Sequence, residues 1–197
     1  MDEKTINTYN QMALEYDKET IDFWELFPRT FVDRFIELAG KEVLDIGSGP
    51  GRDGLILQEA GKEVVCADAS KAMVELSSGR GLRSVIADFT KLPFENESFD
   101  AAWSYTAFLH VPKKDVGAPL DEAYRILRPS GIFGLGMIEG DFDGYRDSSG
   151  VDMPRWFSHY EKSELEKLIC GHGFEAVYFE QFKPRSRNYL NFIFRKR

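Results

Sequence analysis

Short apolar runs recur from residue 42 onward and set the rhythm of the chain. "EVLDI", "EVVCAD", "SVIAD", "FDAAWSY" and "IFGLGMI" are rich in β-branched, aromatic or other apolar residues, which marks them as strands. Most alternate with helical stretches. "RDGLILQEAG" lies between the first two, "SKAMVELSS" between the second and third, and "PLDEAYRILRPSG" before the fifth. Strands separated by helices imply an α/β fold, a mainly parallel sheet covered on both faces. Residues 89–98, "FTKLPFENES", hold a proline and little periodicity. They predict a tight crossover with a degenerate helix.

The two ends of the chain follow other patterns. Residues 1–39 read as helical, with Ile21, Trp24, Leu26, Phe27, Phe31, Phe35, Ile36 and Leu38 at mixed helical spacing. Pro28 breaks or restarts that helix, and Gly40 stops it. After residue 139, "EGDFDGYRDSSGVDMPRW" reads as loop. "SELEKLICGHG" reads as a helix capped by Ser163 and ended by Gly171 or Gly173. The last two strand candidates, "FEAVYFEQF" and "NYLNFIFRKR", have only a basic turn with Pro184 between them. So short a link demands an antiparallel pair.

Composition narrows the class. A chain of 197 residues, 43% hydrophobic, suits one domain with one core. The net charge of −8 repels phosphate backbones, so nucleic acid is not an expected partner. Cys66 and Cys170 lack metal-ligand spacing, and Cys66 in "EVVCAD" reads as a small buried apolar residue. The polar start "MDEKTINTYNQM" lacks a signal core, and no apolar run approaches about 18 residues. A cytoplasmic protein, with no membrane partner, is the expectation.

The candidate chemistry is concentrated in "VLDIGSGPGRDGLIL". A strand that ends in a glycine turn and feeds a helix lets a ligand approach bare backbone, under helix N–H groups. Gly49-x-Gly51-x-x-Gly54, with Asp68 19 positions after Gly49, has the spacing of a dinucleotide site. The same residues also read as Asp45-x-Gly47-x-Gly49-x-Gly51, and a third reading is a tight turn without a ligand. Asp68 suits any ribose. Asp45, inside the first strand, would oppose a diphosphate and favour an ammonium or sulfonium. Asp88, ending the third strand and followed by Phe89, is suited to an adenine edge, with Phe89 or Met73 on its face. A terminal antiparallel hairpin is not a standard dinucleotide-fold ending.

These segments resemble the motifs of small, single-domain class I S-adenosylmethionine-dependent methyltransferases. "VLDIGSGPGRDG" is similar to the first motif, "VVCADAS" to the second, "VIADFTKLPFENESFD" to the third and "AAWSYTAFLHVP" to the fourth. "AYRILRPSGIFGLGMIE" resembles the run into the fifth strand. The resemblance implies a Rossmann-like three-layer α/β/α sandwich with a seven-stranded sheet, order 3-2-1-4-5-7-6, strand 7 antiparallel. It implies one domain over 1–197, with a helical lid over 1–39 and a core over 40–197. The implied cofactor is S-adenosylmethionine, with S-adenosylhomocysteine as product. Gly47, Gly49 and Gly51 would underlie the methionine portion, and Asp68 would hold the ribose. Ala69 and Met73 would border the adenine, whose amino group would meet Asp88 and the Phe89 N–H. Ser104 would offer backbone to the ammonium, and Tyr9 and Tyr16 would lie in the lid. The fourth motif lacks the Asp/Asn-Pro-Pro-aromatic tetrapeptide that holds planar amino groups in DNA adenine and protein glutamine methyltransferases.

Methyl transfer to a small-molecule acceptor is the resulting expectation. A non-catalytic cofactor-binding module and an NAD-dependent oxidoreductase are the alternatives. Tyr105 and His110 in "SYTAFLHVP" are the catalytic candidates, with His110 as base or substrate ligand. His159 and Tyr160 suit either a substrate pocket or the start of the last helix. The acidic residues Glu139, Asp141, Asp143, Asp147 and Asp152 read as a solvated lid or an attractor of cationic amines. Tyr145 breaks the alternation a calcium loop would need, so no metal is expected. The basic cluster Lys183, Arg185, Arg187, Arg195, Lys196 and Arg197 reads as a solvated hairpin, or as contact for an anionic substrate or RNA.

Overall fold

The computed structural model describes residues 2–26, 28–147, 153–184 and 187–197. Phe27, Asp152 and Arg185 lie outside them. Chain order gives α1 (Glu3–Thr20), α2 (Phe23–Leu26), α3 (Thr30–Leu38), β1 (Glu42–Ile46), α4 (Arg52–Glu59), β2 (Glu63–Asp68), α5 (Lys71–Gly79) and β3 (Arg83–Ile86). There follow β4 (Phe99–Tyr105), α6 (Gly117–Ile126), β5 (Leu127–Ile138), β6 (Asp143–Asp147), β7 (Pro154–Ser158), α7 (Lys162–Gly171), β8 (Phe174–Phe182) and β9 (Tyr189–Lys196).

Seven strands form one sheet in the order β3-β2-β1-β4-β5-β9-β8. β1 to β5 run parallel, and β9 lies antiparallel between β5 and β8. This is the expected order, with the last two strands renumbered because a separate hairpin, β6–β7, precedes them. Strand order reverses at β1 and β4, where parallel sheets open a crevice at the carboxyl ends. The middle strands are apolar on both faces because helices cover both. Leu44, Ile46, Phe133 and Phe194 are fully buried. Trp103 packs against Phe31 and Phe35 of α3, each ring 4.8 Å away. On the other face Phe133 meets Phe174, which Tyr124 of α6 touches edge-on.

The structure corrects several local expectations. Of the helices described in 1–39, α1 lies over the carboxyl edge of the sheet. Phe31 and Phe35 place α3 in the core layer instead of the lid. The helix read over "PLDEAYRILRPSG" ends at Ile126, and Leu127 onward joins β5, pairing with Phe99. Crossover 89–98 holds no helix. Arg125 gathers its carbonyls at Leu92 and Phe94 instead, and Glu122 accepts from the Leu92 N–H. The segment after 139 is not all loop. β6 and β7 pair antiparallel, with Tyr145 edge-on to Trp156 at 5.0 Å. That hairpin is stabilised from outside, by Thr8 of α1 donating to the Pro154 carbonyl and the Trp156 N–H donating to Thr5 Oγ1. Ser163 is not the cap of α7. Glu161 is, in a reciprocal box with Glu164. Gly173, at φ 90°, makes the left-handed stop.

Candidate functional site

α1 lies across the carboxyl edge of the sheet and is tied down along its length. Asn10 Oδ1 accepts from Ser70 Oγ and the Ala72 N–H, at the β2–α5 turn. Asp17 takes both oxygens to Arg80 Nη2 at 2.7 Å, and Arg80 also donates to the Pro50 carbonyl in the glycine loop. On the far side Tyr9 reaches His110. The space under this helix is lined by Thr5, Tyr9, Tyr16, Gly47, Gly49, Asp68, Ala69, Met73, Phe89, Tyr105, Thr106, Ala107 and His110.

Most of the residues expected at the cofactor therefore converge. Gly47 and Gly49 expose bare backbone at φ 70° and 53°. A Cβ on Gly47 would sit 2.3 Å from that of Ala107, whereas one on Gly49 would enter open space beside Tyr16. Asp68 accepts from the Gly49 N–H and the Ser70 N–H, each at 2.8 Å. A carboxylate has about four lone-pair sites, so acceptor capacity remains for a diol. Burial raises the Asp68 pKa, and the backbone donors counter part of that rise.

Four expected residues do not line this space. Asp45 is buried under the loop, faces the Gly54 N–H and lies 4.0 Å from the Cys66 thiol. Burial and the nearby Asp53 push its pKa well up, and its carboxyl faces the backbone beneath the loop rather than the cavity. Gly51 is the N-cap of α4, at φ 85°, and a Cβ there would strike Leu82 and Ser77. Asp88 lies two residues past the end of β3, where Thr90 N–H and Oγ1 donate to it. Ser104 is fully buried and donates to the Ile46 carbonyl.

His110 and Tyr105 occupy different settings. His110 Nδ1 lies 2.6 Å from the Trp156 carbonyl, which can only accept, so Nδ1 carries the proton. Nε2 then accepts from the Tyr9 hydroxyl at 2.7 Å, and Tyr9 oxygen accepts from Arg155 at 2.9 Å. Burial pushes the His110 pKa down to about 3, and burial raises that of Tyr9. Tyr105 stacks between Trp103 and Tyr189, at 5.9 and 6.1 Å. It forms a wall of the cavity.

A second cavity, about 350 Å³, opens beside the first and shares Tyr9, Tyr16, Thr106 and His110 with it. Its other walls include Phe23, Arg52, Arg155, Phe157, Arg187 and Tyr189. His159 and Tyr160 line neither space. Asp143 is occupied with Trp156 Nε1, Ser158 Oγ and the Lys113 N–H, and Glu139 with Gln181 and Asn188. Among the described residues, no helix is long and apolar enough to cross a membrane.

Two features had no clear sequence signal. Thr106, lining both cavities, holds φ 55° at the end of β4, a region costly for a β-branched residue. Asp53, below the glycine loop, accepts from the indole N–H groups of Trp24 at 2.7 Å and Trp103 at 2.9 Å, and from Arg52 Nε at 3.0 Å. It locks α2, α4 and β4 together under the site.

Bare glycine backbone, a buried carboxylate with spare acceptor sites and apolar side chains meet at the sheet's topological switch. A family model for a methyltransferase domain matches residues 44–135. The demethylmenaquinone methyltransferase of Thermus thermophilus is 33% identical over 186 residues, covering 76% of this chain and 81% of that protein. Four other curated relatives are spanned only over 29–41% of their length. The DhpI–SAH complex superposes with a TM-score of 0.80 at 18% identity, over 98% of this chain and 96% of that one. Burkholderia thailandensis 1,6-didemethyltoxoflavin-N1-methyltransferase gives 0.74 at 22% identity, over 96% and 88%. The chain belongs to the class I S-adenosylmethionine-dependent methyltransferase family.

Proposed function

We propose that this protein transfers a methyl group from S-adenosylmethionine to a small-molecule acceptor. The observation that carries the reading is the junction of the two cavities at Tyr9, Tyr16, Thr106 and His110. One cavity carries the groups an adenosyl moiety would meet, and its neighbour opens beside it for an acceptor. The residues fit the cofactor on their own chemistry: bare backbone at Gly47 and Gly49, spare acceptor sites on Asp68, and Ala69, Met73 and Phe89 as an apolar slot. When bound, the sulfonium supplies an electrophilic methyl group.

The chain's own task is to position and to exclude water. α1, clamped by Asn10 and Asp17, covers the cradle. Tyr9 and Tyr16 stand at the junction with rings edge-to-face at 5.4 Å, which narrows the aperture between the cavities. His110 holds the Tyr9 hydroxyl through Nε2 and offers no free ring nitrogen. With a pKa near 3 it is a poor base at neutral pH, and we assign it to positioning Tyr9. The related names add small-molecule acceptors: demethylmenaquinone for the Thermus relative and 1,6-didemethyltoxoflavin for the Burkholderia neighbour.

Turnover with a panel of small acceptors, read as S-adenosylhomocysteine release, tests the proposal. Methylated product from at least one acceptor is expected. Tight cofactor binding with no product from any would identify a binding module instead.

A further inference from the structure

We infer that the second cavity takes an acceptor bearing an oxyanion, a carboxylate or a phosphate, held by Arg52, Arg155 and Arg187. The inference rests on the proposed methyl transfer and names the acceptor class of the same site. Three guanidinium groups reach this cavity from three separate elements: Arg52 from the start of α4, Arg155 from β7 and Arg187 from the turn before β9. Among the described lining residues Glu19 is the one carboxylate, and it is exposed. In a chain of net charge −8, a cavity with that balance is a local reversal of sign.

Each arginine is presented rather than merely nearby. Arg52 gives Nε to Asp53 and Nη1 to the Thr20 carbonyl, and lies 4.6 Å over the Phe23 ring. Arg155 is 9% exposed, donates to Tyr9 and sits over the rings of Tyr9 and Phe157, at 5.1 and 5.4 Å. Arg187 is exposed at the mouth, beside the Tyr189 hydroxyl. Planar forks on aromatic faces suit bidentate binding of carboxylate and phosphate.

The chemistry agrees with the geometry. An oxyanion is already ionised at neutral pH and needs no general base, and His110 is held where it cannot act readily as one. A cationic amine, the guest suggested by the acidic loop, would meet three like charges here. Of the basic C-terminal cluster, Arg187 joins the site. Lys196 is buried and donates to the Leu127 carbonyl.

The test begins with the full chain saturated with S-adenosylhomocysteine. Failure of that binding step would sink the methyltransferase reading itself and is recorded before any acceptor probe is added. Benzoate against benzamide, and phenyl phosphate against phenol, are then titrated by calorimetry and ligand-observed NMR. At least one anion is expected to bind roughly tenfold more tightly than its neutral partner, the scale of a charged hydrogen bond. The two pairs show whether carboxylate or phosphate is preferred. Arg187→Gln, at an exposed position, is expected to lower that ratio about two- to fivefold, with Arg52 and Arg155 keeping part of the preference. Equal binding of the neutral partners, no binding by either anion, or a ratio left unchanged by Arg187→Gln would overturn the inference.

Discussion

Tyr9 donates its hydroxyl to Nε2 of His110 at 2.7 Å, joining α1 to the helical turn that follows β4. The Trp156 carbonyl, 2.6 Å from Nδ1, fixes His110 as the neutral Nδ1–H tautomer that accepts this bond. Its pKa falls from an ordinary 6.5 to about 3 in the folded chain. A depressed histidine contributes stability above its unfolded pKa and loses it as pH falls toward the folded one. Stability should therefore decline below about pH 6.5, and His110→Gln should flatten that decline. Nitrogen-15 NMR should show a neutral His110 at pH 5. An imidazolium signal there would contradict the arrangement. Tyr9→Phe should cost about 1–3 kcal/mol of stability, by leaving polar groups around the missing hydroxyl unsatisfied.

Asp45 gives the opposite sign. Burial, with Asp53 next in order, raises its pKa well above 3.8. A carboxyl with a raised folded pKa is most favourable below its unfolded value and destabilises as pH rises through the folded one. Asp45→Asn keeps an acceptor for the Gly54 N–H and removes the ionisation. Its melting temperature should match the parent near pH 4 and exceed it at pH 8. A variant less stable at both would show that the carboxyl acts differently.

Asp53 binds two indoles and a guanidinium inside the fold. Removing it leaves those donors without an acceptor. Asp53→Ala should destabilise by about 3–5 kcal/mol and shift tryptophan emission to the red as Trp24 and Trp103 loosen. A loss below about 1 kcal/mol would refute the locking role.

The Asp17–Arg80 clamp ties α1 to α5, with both side chains less than a quarter exposed. Asp17→Asn should cost about 1–2 kcal/mol of closure, or roughly five- to thirty-fold in the dissociation rate of S-adenosylhomocysteine. Stopped-flow displacement checks this, and an unchanged off-rate would mean that α1 does not hold the ligand.

The parallel core was legible because strands buried on both faces read as unbroken apolar runs, as in "VLDI" and "VVCA", whereas the strand order came only with the resemblance to the methyltransferase motifs. The β6–β7 hairpin was not, because its charged sequence is stabilised by contacts with α1 and not by its own periodicity. The turn that sets the bare backbone of Gly47 and Gly49 beside Asp68 was legible, since few residue types adopt those backbone angles. Asp45 was misplaced because a strand's alternation does not say which layer a buried carboxyl faces. The Tyr9–His110 bond spans 101 positions. No local pattern encodes such a contact. Arg187 sits in a basic turn whose composition equally suits a solvated hairpin, and only the cavity tells the two apart.

Calorimetry with S-adenosylhomocysteine and NAD, on the parent and on Asp68→Ala, tests the cradle most directly. S-adenosylhomocysteine should bind the parent and lose about 1.5–3 kcal/mol on Asp68→Ala, while NAD should not bind. Binding of NAD alone, or S-adenosylhomocysteine affinity indifferent to Asp68, would contradict the site as described.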